Sequence, residues 1–152
     1  MNALVVYYSR TNITKKLAQK IAELAGADTE EITTNVKYDG KIGYARAGKD
    51  AISEKIIEIS PKNHDPADYD TVYIGTPVWA GKSSTAIISY ISENKDRFEN
   101  VRFFATAGNS GFESTFRQME KFAGKKAEKT LALTTKEVKK EEYQNKVTEF
   151  VK

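Results

Sequence analysis

The sequence predicts an α/β fold: a three-layer, doubly wound sandwich with helices on both faces of a five-stranded parallel sheet. Short apolar strands alternate with helix-period segments along the chain, the pattern of a parallel sheet joined by right-handed crossovers. The first strand, Ala3 to Tyr8, is apolar on both faces, as at the centre of such a sheet. No hairpin signal or internal repeat interrupts the alternation. A chain of 152 residues has the length of one domain around a single core, so residues 1–152 are read as one unit.

The elements follow in order. Ile13, Leu17, Ile21 and Leu24 recur on one helical face, and Gly26 closes that helix. Thr29 to Thr34 reads as a short strand. Residues 35–55 carry Gly40, Gly43 and Gly48 and read as loop with at most a short helix; Ile56 to Ile59 reads as extended. Thr71 to Gly75 is a strand stopped by Thr76-Pro77. Ser84 to Asn94 is a helix with Ile87, Ile88 and Ile91 inward. Val101 to Thr106 is a strand and Ala107 to Gly111 a turn. Phe112 to Phe122 is a helix that places Phe112, Phe116, Met119 and Phe122 on one face. Lys126 to Thr134 is the last strand and Glu137 to Val151 the final helix.

Composition narrows the function. Hydrophobic residues at 39% and charged residues at 30% describe a globular chain. The apolar runs are too short to span a membrane. No basic stretch precedes an apolar run at the N-terminus, so no signal peptide and a cytoplasmic location are expected. The absence of cysteine removes disulfides, thiolate nucleophiles, iron–sulfur clusters and zinc–thiolate sites. The single histidine, His64, stands in the proline-rich "SPKNHDPADYD" and reads as a solvated loop residue. The net charge is +3, with lysines scattered among acids and clustered only at Lys125–Lys126 and Lys139–Lys140. That distribution argues against nucleic-acid binding.

In a doubly wound sheet, ligands bind beyond the carboxyl ends of the strands, where strand order reverses. Three loops therefore matter: Ser9–Thr14, Thr76–Lys82 and Ala107–Gly111. The first, "SRTNIT", offers hydroxyl and amide groups from Ser9, Thr11, Asn12 and Thr14 at the entry to a helix. The unpaired amides there and the helix dipole favour an anion. Lys15 and Lys16 oppose that dipole unless a phosphate reverses the local sign. The competing reading is a helix cap with ordinary surface lysines. Neither an NTPase phosphate loop nor a dinucleotide glycine motif is present.

The second loop, "GTPVWAGKSS", carries the only tryptophan, Trp79. An exposed indole at a strand's end suits stacking on a planar ring; the competing reading packs Trp79 under a neighbouring helix. Gly81 permits a backbone that other residues resist. In the third loop, "TAGNSGF", Gly108 and Gly111 let backbone amides approach a flat polar edge, or simply make a tight turn. Together the loops describe a phosphate pocket beside a planar heteroaromatic ring.

With those residues in view, the chain resembles the flavodoxin family of FMN-binding proteins over essentially its whole length. The family's phosphate loop, Thr/Ser-x-Thr-Gly-x-Thr, is matched in register by Ser9, Thr11 and Thr14. Asn12 stands at the glycine, and asparagine tolerates a left-handed backbone. "GTPVWAG" looks like the loop whose aromatic packs on the isoalloxazine ring, and "TAGNSG" like the loop along its pyrimidine edge. The resemblance implies the strand order 2-1-3-4-5 and FMN at the switch point, the example by which this rule is usually stated. It implies as FMN-contacting residues Ser9, Arg10, Thr11, Asn12, Ile13 and Thr14 from the first loop. From the second come Thr76, Pro77, Val78, Trp79, Ala80 and Gly81, and from the third Ala107, Gly108, Asn109 and Gly111. No catalytic side chain and no metal are implied.

Two departures stand out. The family usually places a second aromatic in the third loop; none lies between Ala107 and Gly111, leaving Phe112 and Tyr44 as substitutes. Typical members are strongly acidic, whereas this chain is basic, with Lys82 beside the Trp79 loop. The resemblance implies an electron carrier whose FMN cycles between oxidised, semiquinone and hydroquinone forms. Its partners would be redox proteins, acidic ones on charge grounds, with the carrier itself a monomer or weak dimer. The alternatives are an NAD(P)H-dependent FMN or quinone reductase of the same fold, and a binding module without redox function. A response-regulator switch is rejected, because Tyr8-Ser9 and Thr76-Pro77 stand where its acids belong.

Overall fold

The computed structural model describes residues 2–152. Five parallel strands form the sheet: β1 (Ala3–Tyr7), β2 (Asp28–Glu31), β3 (Thr71–Trp79), β5 (Asn100–Ala107) and β6 (Thr130–Thr134), in the order β2-β1-β3-β5-β6. Counted among parallel strands alone, that is 2-1-3-4-5. The strand order reverses between β1 and β3, where Val5 pairs with Tyr73 and Tyr7 with Gly75.

Side-chain alternation along β1 divides the core into two layers. Leu4 and Val6 face a cluster completed by α2 (Gly40–Ile52), α3 (Thr85–Glu93) and α4 (Phe112–Ala123). Val5 and Tyr7 face the other cluster, built from α1 (Ile13–Ala25), α5 (Thr135–Lys139) and α6 (Gln144–Val151). Leu4, Val5 and Val6 are all fully buried, as a central parallel strand requires.

Several elements depart from the sequence reading. Residues 40–52 form a helix of three and a half turns, not a loop. Gly43 makes it possible: a Cβ there would lie 2.3 Å from the Tyr38 carbonyl carbon. Gly43→Ala is therefore expected to destabilise the protein, although alanine favours helix over glycine by about 1 kcal/mol. A urea midpoint that rises in this variant would show that α2 does not pack so closely.

β3 does not stop at Thr76-Pro77 but runs on to Trp79, pairing with β5 as far as Pro77↔Thr106. It then turns back into a two-residue strand, β4 (Lys82–Ser83), so a hairpin is present after all. Ala80 (φ 53) and Gly81 (φ 76) make the turn, and positive φ at both central residues is the hairpin signature. β2 and β6 are shorter than expected, and residues 56–59 join no strand. The final helix is two, α5 and α6, broken where Glu141 adopts φ 57 and Tyr143 turns into the core. In α1 the buried stripe is Thr14, Leu17, Ala18, Ile21 and Ala22, while Leu24 is exposed.

His64 is more than a solvated loop residue. Its backbone amide and that of Asn63 each donate to the buried Glu30 carboxylate at 2.8 Å. Its Nδ1 lies 3.4 Å from the same group.

Candidate functional site at the carboxyl ends of β1, β3 and β5

The phosphate-type loop is built by the end of β1 and the start of α1. Asn12, the residue before the helix, is left-handed at φ 70, ψ 2 and makes no side-chain cap. Ser9 Oγ accepts from the Lys15 amide at 3.1 Å. The Thr14 hydroxyl is buried and bonds to the Thr106 hydroxyl at 2.8 Å, which ties α1 to β5. The amides of Thr11, Asn12, Ile13 and Thr14 meet no acceptor among the described residues. Four backbone donors thus converge at the positive end of a 13-residue helix.

A cleft of roughly 210 Å³ opens beside this loop. Arg10, Thr11, Ile13 and Thr14 form its floor, Pro77, Val78 and Trp79 one side, and Ala107 and Gly108 another. The three loops singled out in the sequence do meet. A second hollow of roughly 160 Å³, lined by Tyr44, Ala47, Gly48, Val78, Trp79 and Ala80, continues under α2. Each is smaller than the ~300–1,000 Å³ of usual cofactor pockets. A larger concavity, roughly 570 Å³, is an open surface dish between β6 and α6 and contains none of the three loops.

Other expected residues play supporting parts. Thr76 is fully buried; its hydroxyl accepts from the Ser84 amide at 2.9 Å and so anchors the start of α3. Gly111 (φ 94) is the residue before α4, and a Cβ there would meet Val78 Cγ1 at 2.9 Å. The Gly81 carbonyl accepts from Ser114 Oγ at 2.6 Å. Ser9, Asn12, Gly81, Asn109 and Gly111 line neither hollow. Two cleft residues were missed, Thr106 and Thr135, and a third, Tyr44, had been named only as a substitute aromatic. Thr106 carried a signal, a hydroxyl at the end of the apolar run "VRFFATA".

A family model described as flavodoxin matches residues 2–150. The chain belongs to the flavodoxin family. Among solved structures, it is similar to a Lactobacillus acidophilus flavoprotein determined in complex with FMN. The two share 27% identity over 91% of this chain and 97% of that one, with a TM-score of 0.77. A flavoprotein from Bacteroides uniformis gives 25% identity, 91% and 96% coverage and a TM-score of 0.76. An NAD(P)H:quinone oxidoreductase from Methanothermobacter marburgensis shares the fold, at 15% identity, 99% and 94% coverage and a TM-score of 0.58. No curated protein matches the chain.

For a flavodoxin-family chain, two features of this site need correcting against the sequence reading. The first is Trp79, whose indole is buried, not exposed, with 8% of its surface accessible. Tyr8 and Tyr38 pack edge-on to it, with ring centroids at 5.6 and 4.9 Å. Tyr38 is fixed in turn, donating to Asp50 Oδ2 and accepting from Thr85 Oγ1, both at 2.9 Å. Burial pushes its pKa up to about 12, so its proton stays in place at neutral pH.

The second correction is charge. Lys15, Lys16 and Lys82 are each paired, with Glu31 at 3.4 Å, Glu141 at 3.6 Å and Glu54 at 3.9 Å. The lysines at the helix start and beside the Trp79 loop, which the sequence showed without a near acidic neighbour, are thus opposed across the fold. Arg10 makes no ion pair among the described residues; its Nε donates to the Tyr38 carbonyl at 2.7 Å and its Nη2 to the Gly40 carbonyl at 3.1 Å. Of the two substitute aromatics, Phe112 packs against the core and Tyr44 lines both hollows.

Proposed function

We propose that the chain binds FMN where the three loops meet and carries electrons between redox proteins. The observation that carries this reading is the bare donor loop. Four uncommitted amides stand at a helix start, shaped by a left-handed Asn12, and three of them belong to residues that line the cleft: Thr11, Ile13 and Thr14. The FMN bound to the similar Lactobacillus protein supports it. The donor set fits the group: amides of Thr11 to Thr14 for the phosphate, Pro77 to Trp79 and Ala107–Gly108 for the ring. Bound FMN supplies the electron chemistry. Among the described residues the cleft is lined by hydroxyl, apolar and backbone groups with Arg10, which suit holding, orienting and shielding the group.

Among the described residues that line the cleft, Arg10 is the cation able to act on that chemistry, and the chain's net charge of +3 favours an acidic partner. A unit charge about 8 Å from a redox centre is worth roughly 2 kcal/mol at an effective dielectric near 20, before salt screening. For one electron that is an upper limit on the order of 90 mV. Arg10→Gln should make the potential of the second electron more negative by tens of millivolts at low ionic strength, and by less in salt. A potential unmoved at low salt would show that ring packing sets it.

Titrating flavin-free protein with FMN, then reducing the complex stepwise, tests the function. The expected result is stoichiometric FMN binding with no NAD(P)H oxidation beyond that of free FMN. Sustained NAD(P)H oxidation would identify a reductase, and no FMN binding a module without redox function.

A further inference from the structure

We propose that Tyr44, carried on α2, is the aromatic that covers the flavin ring, and that Arg10 ties this cover to the phosphate loop; the proposal rests on the FMN reading above. Tyr44 and Trp79 are the aromatics that line both hollows. Their situations are opposite: Trp79 is wedged against Tyr8 and Tyr38, while Tyr44 is 70% exposed. The tyrosine holds no part of the core together, so its ring is available to a ligand.

The build of α2 points the same way. A surface helix ordinarily turns its large apolar residues inward. Here the buried positions are Gly43, Ala47, Asp50 and Ala51, and the exposed ones include Ile42 and Tyr44. The small inner face lets the helix pack on β3, while Gly43 abuts the Tyr38 backbone in the segment that leads into α2. Tyr44 thereby lines the same two hollows as Val78 and Trp79.

Arg10 supplies the coupling. It belongs to the phosphate loop, yet its guanidinium donates to the carbonyls of Tyr38 and Gly40, at the start of α2. The same group lies 5.4 Å from the centroid of the Tyr44 ring, a cation–π distance. One side chain therefore braces the anion loop, the helix start and the aromatic together. A planar ring held between Tyr44 and the Val78–Trp79 wall needs no aromatic between Ala107 and Gly111, where the sequence has none.

The test is a fluorescence titration with FMN and with riboflavin of the parent protein, Tyr44→Ala and Tyr44→Phe, with hydrogen exchange of the α2 amides. Because Tyr44 is exposed, the alanine variant should melt like the parent without flavin. A ring contact is worth about threefold to tenfold in affinity. Tyr44→Ala should lose that factor equally for both flavins, and Tyr44→Phe should keep it. Bound FMN should slow exchange in α2 of the parent more than in Tyr44→Ala. If the parent binds FMN and Tyr44→Ala binds both flavins as tightly, the cover is overturned while the FMN reading stands. If the parent binds no flavin, both fall.

Discussion

Replacing Trp79 by alanine should lower the stability of the flavin-free protein by about 3–5 kcal/mol, the usual cost of truncating a buried aromatic. The indole is 92% buried by its 8% exposure and belongs to the same cluster as Ile74, Ile87 and Phe103. Two tyrosines meet its edges, so its removal leaves a void that rigid neighbours cannot close. Tyr38 is pinned by Asp50 and Thr85 and cannot follow without breaking buried hydrogen bonds. Urea unfolding would show the loss as a fall in midpoint with little change in slope. A variant as stable as the parent that had lost only its flavin affinity would restore the picture of a free stacking residue.

That reversal shows where sequence reasoning reached and where it stopped. β1 was legible because Leu4, Val5 and Val6 are apolar on consecutive positions, which only a strand covered on both faces tolerates. The strand order came from resemblance, not from the residues. Asn12 was legible as a left-handed position because few other side chains accept φ 70. The helix α2 was not legible, because its buried residues are too small to produce an apolar period and its glycines imitate a loop. Tyr44 could be named as a substitute aromatic but not placed, since a residue in an unassigned segment has no position relative to the cleft. The β3–β4 hairpin hid behind Ala80, which takes a left-handed turn position usually held by asparagine, aspartate or glycine. No glycine or proline marks the break at Glu141 either.

Charge was the other blind spot. Lys15, Lys16 and Lys82 look unopposed along the chain, and their partners Glu31, Glu141 and Glu54 lie 16, 125 and 28 positions away. Ion pairs across such separations depend on the finished topology. Arg10 shows the converse: unremarkable in "SRTNIT", it turns out to connect two parts of the site.

The loop from Ser9 to Thr14 should hold a phosphate. Two hydrogen bonds from its free amides to a dianion, each worth about 1.5–3 kcal/mol, amount to roughly 3 kcal/mol or more, on the order of a hundredfold in affinity. Riboflavin has the same ring and lacks only the phosphate, so paired titrations isolate this contribution from every ring contact. FMN should bind roughly 100-fold more tightly than riboflavin, and inorganic phosphate should narrow the gap by competing for the same amides. Equal affinities for the two flavins, unchanged by phosphate, would contradict this and leave the loop as nothing more than the start of a helix.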